Sequence, residues 1–162
     1  MGSARLAGKS MLDICNRPLV GYLVDRLRLC ETLHDIVIAT PTSTENDTIE
    51  KFCNTESISC FRGSEDDVLG RTYNALQSMS ADVGVEVYGD GPLIDPQIVD
   101  NIVRYYCTNE FYDFVGNDLK TTYPPGMEVE VFSVEALADS NRRVQKYDPI
   151  REHGTLFIRQ NS

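Results

Sequence analysis

Three groups of residues in this sequence have types and spacings that could do chemistry. The first is Tyr88-Gly89-Asp90-Gly91-Pro92, which ends the apolar run from Val83. A lone carboxylate between glycines, at the end of a strand, lies where ligands bind in α/β proteins, and the glycines let backbone and ligand come close. Asp90 is therefore a candidate pivot of a nucleotide and metal site. A tight turn with a polar tip explains the same residues equally well. The second group is Gly2, Ser3, Ala4, Arg5, Leu6, Ala7, Gly8 and Lys9. Exposed amides in such a stretch can wrap phosphate oxygens, while Arg5 and Lys9 neutralise charge. Ser3 stands where a Walker loop requires glycine, and a flexible terminal tail has the same composition. The third is Glu128 and Glu130, two apart on an alternating segment, so both side chains are expected to leave one face. Carboxylates held together repel unless a cation lies between them. With Asp90 opposite, the three would make a hard-oxygen site suited to Mg²⁺. The competing reading is the solvated face of an edge strand.

Two further clusters are charged. Arg151-Glu152-His153 offers a guanidinium able to grip a carboxylate in two-pronged fashion, beside a histidine of a kind more often structural than catalytic. Ser64-Glu65-Asp66-Asp67 reads first as a capped helix start.

The elements that must position these groups alternate between strand and helix. Arg17 to Leu29 carries a helical stripe of Leu19, Val20, Leu23, Val24 and Leu27, with Pro18 in the first turn. Asp35 to Thr40 is a continuous apolar strand. Thr44 and Asp47 have capping-box spacing and open a helix through Phe52. Ser57 to Phe61 is a short strand, and Ser64 with Asp67 caps a helix through Met79. After the Asp90 stretch, Asp95-Pro96 supplies an N-cap and a first-turn proline for a helix through Tyr106. Strands are predicted at Phe111 to Gly116 and Met127 to Ser133, with the TTYPPG loop between them. Val134 to Arg143 is helical, and the tail reads as a short turn followed by the strand TLFIR. The pattern is βαβα with a mostly parallel sheet.

Composition sets limits. The 162 residues suit one domain, with 41% hydrophobic and 25% charged residues. A net charge of −10 disfavours nucleic-acid and anionic-membrane partners. It does not disfavour a triphosphate presented with a carboxylate-held Mg²⁺. Cys15, Cys30, Cys53, Cys60 and Cys107 show no zinc or redox spacing and are expected as buried, reduced thiols in a cytoplasmic protein. No run reaches the length of a membrane span.

The order of the motifs is more specific than any one of them. MGSARLAGKSMLDICNRPLVGYLVDRL, FRGSEDDVLGRTYNAL, GDGPLIDPQIVD, TYPPGMEVEVFS and IREHGTLF occur in sequence over nearly the whole chain. In this they resemble the cytidylyltransferases of the spore-coat-polysaccharide and acylneuraminate group, relatives of the 3-deoxy-manno-octulosonate cytidylyltransferases. The resemblance implies a three-layer αβα, Rossmann-like nucleotidyltransferase fold of the GT-A-like kind. It implies transfer of CMP from CTP to a sugar or sugar acid, with Mg²⁺ and release of pyrophosphate, and it admits a homodimer. By the same resemblance the Gly2, Ser3, Arg5, Gly8 and Lys9 loop holds the triphosphate. Asp90 binds Mg²⁺, and Glu128 and Glu130 lie near metal and sugar, with Glu130 as proton acceptor. Arg62 and Ser64 fall at base or ribose, and Tyr123, Arg151 and His153 on the acceptor side.

The chain departs from that pattern in places. Met1 falls on a methionine inside the loop motif, so a preceding strand and a C-terminal part are expected to be missing from a single domain over residues 1–162. Ala7 replaces a proline, Glu86 stands where many relatives carry arginine, and Gly154 follows Arg-Glu-His where valine is usual. A non-catalytic nucleotide-binding remnant, or an enzyme using another nucleoside triphosphate, are the alternatives.

Overall fold

The stripe read between Leu19 and Leu27 becomes helix α1 (Leu19–Leu27), with Val20, Leu23, Val24 and Leu27 all buried. In the computed structural model, residues 8–109, 111–120 and 122–161 are described. The chain divides into two compact units, Met1–Ile36 with Val85–Val131, and Val37–Gly84 with Phe132–Ser162.

The first unit begins with a 3₁₀ turn, Lys9–Met11, followed by a small antiparallel hairpin of β1 (Asp13–Ile14) and β2 (Arg17–Pro18). Cys15 and Asn16 make its two-residue turn at φ 53 and 64, as the hairpin twist demands. Asn16 N donates to Asp13 Oδ1 at 3.0 Å. Pro18 is the N-cap of α1 and not its first turn, because Arg17 and Pro18 are already paired in the hairpin. The other helix of this unit, α4 (Pro96–Cys107), starts as expected, with Asp95 accepting from Gln97 N at 2.8 Å and Pro96 at the first position. Leu23 and Leu27 of α1 meet Ile94, Val99 and Val103 at α4, and Val129 and Val131, in one apolar cluster. Each such burial contributes about 1.5–3 kcal/mol relative to exposure.

Strand β7 (Glu130–Ser133) lies in the centre of a three-stranded sheet, between β5 (Val83–Glu86) and β6 (Phe114–Gly116). Both predicted strands around the TTYPPG loop are shorter than read. Phe111 is 96% exposed and Tyr112 stacks on Tyr105, so β6 starts only at Phe114. At the other strand, pairing through Met127–Val129 is taken over by the side chain of Asn117.

The second unit carries the parallel pair. β3 (Val37–Pro41) and β4 (Ser59–Gly63) run in register from Val37↔Ser59 to Pro41↔Gly63. Helix α2 (Asp47–Glu56) makes the crossover that parallel neighbours require. The predicted capping box at its start is absent: a 3₁₀ turn covers Thr44–Asn46, and the Asp47 carboxylate is taken by Arg62 at 2.7 Å. The helix passes Phe52 because Cys53, a small hydrophobe one turn after Ile49, continues its buried face. Helix α3 (Val68–Ser78) packs on both parallel strands, α5 (Val134–Arg143) on α3, and α6 (Leu156–Asn161) on α5. The predicted terminal strand is thus a helix, preceded by a 3₁₀ turn, Pro149–Glu152. Its local pattern fits either state, and packing decides: Ile158 is buried, and the Arg143 guanidinium lies 5.1 Å from the Phe157 ring centre.

All five cysteines are free, but Cys15 and Cys107 are exposed, contrary to the expectation of burial. Burial holds the Cys53 thiol up to about 12. Among the described residues no helix is long and apolar enough to cross a membrane.

Asp100 of α4 ties the two helices of the first unit together. Only 5% exposed, its carboxylate accepts from Glu31 N at 3.0 Å, Thr32 N at 2.9 Å and the Thr32 hydroxyl at 2.6 Å. Burial pushes its carboxyl up, but those donors and Arg104 outweigh it and hold the group below the usual range. Asp100→Ala strands two amides and is expected to cost about 2 kcal/mol in urea unfolding. A depressed carboxyl stabilises above its unfolded value, about 3.9, and loses that contribution as pH falls through the folded one. The difference between wild type and variant should therefore be full near about pH 7 and shrink toward about pH 3.

Candidate functional site

The chemistry of the first unit gathers at the turn after β5. Gly91 N donates to Tyr88 O at 3.1 Å, which folds Tyr88-Gly89-Asp90-Gly91 into a tight turn with Asp90 exposed at its tip. Neither Gly89 nor Gly91 has a positive φ. Space is what distinguishes Gly91: a methyl group there would lie 3.1 Å from the Gly126 carbonyl oxygen, a tight contact. The segment Pro124-Pro125-Gly126-Met127 is itself a turn, closed by Met127 N to Pro124 O at 3.3 Å with Gly126 at φ 90. Proline followed by a left-handed glycine is the pattern of a type II turn. Two turns far apart in sequence therefore meet backbone to backbone. Arg26 of α1 adds a bond to the Ile94 carbonyl just beyond.

Lys9, held by its 3₁₀ turn after Gly8 (φ 70), pairs its ammonium with the Asp90 carboxylate. Their side chains are 30% and 43% exposed, so the pair is open to solvent and available for exchange with a ligand. Its own contribution to stability is small for that reason. Gly2, Ser3 and Arg5 lie outside the described residues.

The two glutamates do not sit side by side on a strand. Glu128 precedes β7, is half-buried, and its Oε2 accepts from Gly126 N at 2.7 Å. Glu130 opens β7 and is 2% exposed on the central strand, not on the solvated face of an edge. Among the described residues no three Asp, Glu, His or Cys side chains come together to hold a metal ion. The expected three-carboxylate set of Asp90, Glu128 and Glu130 is thus not preassembled, because one glutamate serves a turn amide and the other is buried. Magnesium does not require a ready cage: it commonly keeps waters and uses one or two carboxylates with the phosphates of its substrate. An exposed hard-oxygen donor on a turn tip, as Asp90 is, fits that manner of binding. Tyr123, 42% exposed, lies in the same loop as Glu128.

The remaining predicted residues belong to the second unit, where the arginines are engaged internally. Arg62 bonds Asp47 at 2.7 Å, Glu50 at 2.8 Å and the Ser43 carbonyl at 2.9 Å, and those carboxylates raise its basicity further. Arg151, 7% exposed, forms a two-pronged pair with Asp67, both bonds 2.9 Å. It also donates to the Val144 carbonyl at 3.0 Å and the Asn141 side chain at 2.5 Å. Arg151 thus does grip a carboxylate in two-pronged fashion, but the carboxylate is the N-cap of α3. Asp67 also accepts from Gly70 N at 2.8 Å. Burial pushes its carboxyl up, and Arg151 with the Gly70 amide more than reverses this. Ser64 is exposed, accepts from Asp67 N at 3.2 Å, and has its carbonyl held by Arg71. His153 is exposed. Asn117 has no signal in the sequence, being one polar residue without a motif around it, and Arg71, inside the FRGSEDDVLGR motif, carries no role that its spacing alone reveals.

The parallel βαβ unit and the mixture of strands and helices around it give an α/β fold of the kind found in nucleotidyltransferases. The structure superimposes on that of a cytidylyltransferase from Leptospira borgpetersenii with a TM-score of 0.91 at 29% identity, covering 99% of this chain and 68% of that one. A family model described as cytidylyltransferase matches residues 1–162, and the chain belongs to that family. Over 166 residues it is 30% identical to the spore coat polysaccharide biosynthesis protein SpsF of Bacillus subtilis, covering 99% of this chain and 67% of that protein. An uncharacterized protein of Methanocaldococcus jannaschii, MJ1063, is 37% identical over 161 residues, 99% of this chain and 64% of the relative. The chain therefore spans about two thirds of the length of these relatives.

Arg151→Ala leaves the part-buried Asp67 carboxylate without its two-pronged partner and is expected to lower unfolding free energy by about 2 kcal/mol. Urea denaturation measures this; an unchanged midpoint would remove the structural role assigned to Arg151.

Proposed function

We propose that this protein activates a sugar or sugar acid with CTP, forming a CMP-sugar and pyrophosphate for surface polysaccharide or glycan synthesis. The observation that carries the reading is the meeting of Lys9 and Asp90, 81 positions apart, beside the turn that bears Gly126 and Glu128. Membership of the cytidylyltransferase family supports cytidylyl transfer. The name of SpsF supports a polysaccharide context.

In this reading an acceptor hydroxyl oxygen attacks the α-phosphorus of CTP in line. The bond from that phosphorus to the β-phosphate bridging oxygen breaks, and pyrophosphate leaves with the electron pair. The protein's part is positioning and charge compensation. Lys9 exchanges Asp90 for phosphate oxygens, together with Arg5 and the amides of Gly2, Ser3 and Gly8. Asp90, once released from Lys9, would hold magnesium, which would offset phosphate charge. The hydroxyl proton passes to a carboxylate beside the Asp90 turn. Glu128 suits this better than Glu130, which is 2% exposed. Tyr123 contributes acceptor contacts on the same unit. Of the nucleotide and acceptor residues expected in the second unit, Ser64 and His153 are exposed, while Arg62 and Arg151 brace the backbone. A cytoplasmic location is part of this proposal.

The test is pyrophosphate release from each of the four nucleoside triphosphates with a panel of sugar acids, with and without magnesium. Release with CTP, dependent on magnesium, is expected. Asp90→Ala should lower it by about 100-fold or more, the scale of losing a charge-positioning group. Undiminished turnover in Asp90→Ala would remove the metal assignment. CTP binding without release for every acceptor would mark a nucleotide-binding remnant, and release with UTP or GTP would change the base.

A further inference from the structure

Asn117 lies one residue beyond β6 and makes three bonds to the segment that leads into β7. Its Nδ2 donates to the Met127 carbonyl at 2.8 Å, its Oδ1 accepts from Val129 N at 2.8 Å, and its backbone N donates to the Val129 carbonyl at 3.3 Å. The side-chain amide thus replaces one step of strand pairing. The task needs a donor and an acceptor on one short planar group, which serine, aspartate and alanine lack.

The two peptide groups gripped by this side chain flank Glu128. The backbone that carries Glu128 is therefore fixed outside any strand, and its carboxylate is fixed in turn by Gly126 N at 2.7 Å. Gly126 presses its carbonyl toward Gly91, next to Asp90. A continuous line of contacts runs from Asn117 through Met127–Val129 and Gly126 to the Asp90 turn, all within the first unit. If Asn117 only closed the loop over residues 118–126, one bond at its base would suffice. Bonds on both sides of Glu128 do more, because they remove the freedom of that residue in particular.

We infer that Asn117 is a positioning residue, which holds Glu128 in a set place against the Asp90 turn so that magnesium-bound CTP meets a second carboxylate already in position. This rests on the proposed nucleotide reading of the same turn. Outer-shell partners that orient a carboxylate beside a metal typically act on metal affinity by about 10- to 100-fold.

Calorimetric titration with CTP, in magnesium and in EDTA, compares the full chain with Asn117→Asp and Asn117→Ala below their melting temperatures. Asn117→Asp keeps the acceptor for Val129 N but loses the donor to Met127. Wild type should bind CTP more tightly with magnesium. In both variants the affinity in EDTA should stay level while the magnesium gain falls about 10-fold or more. A role in stability alone would lower the melting temperature and leave that gain intact, which would overturn the inference. So would equal binding by wild type with and without magnesium. Absence of CTP binding by wild type in either buffer would instead sink the nucleotide reading, and this inference with it. If neither variant folds, Gly126→Ala, strained at φ 90, perturbs the same line of contacts and should lose the same gain. Hydrogen exchange on wild type needs no variant: the Val129 amide should be protected, and its rapid exchange would overturn the clamp.

Discussion

Two backbones pass so close at Gly91 and Gly126 that the acidic site of the first unit is built outward from their contact. Each glycine is needed for a separate reason. Gly91 has ordinary φ but a tight approach to the Gly126 carbonyl, while Gly126 has room and a φ of 90 that other residues avoid. The contact brings the tip of one turn, bearing Asp90, against another turn bearing Glu128. Everything around it acts to hold those turns still. Arg26 reaches the Ile94 carbonyl, Asn117 grips the approach to β7, and the Ile94, Val129 and Val131 side chains anchor both segments in one apolar cluster.

Charge is used differently in the two units. In the second, cations of the most recognisable motifs are absorbed into the scaffold: Arg62 binds the start of α2, and Arg151 and Arg71 hold the segment before α3. Arginine suits this because its planar fork satisfies several acceptors at once and stays charged when buried. In the first unit, Lys9 meets Asp90 where both remain part-exposed. Lysine presents a compact charge on a flexible stem, able to leave one oxygen for another. The separation of bracing arginines from a part-exposed lysine follows from residue chemistry and burial together.

Much of this was legible in the sequence, for identifiable reasons. Helices α1, α4 and α5 follow from apolar spacing, and Asp95 and Asp67 from capping chemistry, because those rules act within a few residues. Family order gave the fold class. What could not be read was tertiary choice. Helices α2 and α3 are followed by Ser57 and Ser80 at φ 56 and 53, positions where glycine would have signalled a stop. The tail is helical because α5 offers a surface to Ile158. The chemistry of Arg151 suits a hand for substrate, but the carboxylate it grips, Asp67, lies 84 residues away in sequence. Glu128 and Glu130 follow a strand period on paper, but an asparagine side chain ends the strand between them.

That last point bears on how a metal could be held here. A cage of three carboxylates, formed in advance, would have to bear their mutual repulsion in the free protein. The first unit avoids that state: Lys9 neutralises Asp90, a backbone amide occupies Glu128, and Glu130 is buried in the sheet. In the proposed reading a triphosphate would bring both the anion that draws Lys9 away and the oxygens that complete a magnesium shell. Its arrival would then free Asp90 as it supplied the partners Asp90 needs. Such a site would be assembled by its substrate, with the backbone around Gly91, Gly126 and Asn117 already held by its own hydrogen bonds and close contacts.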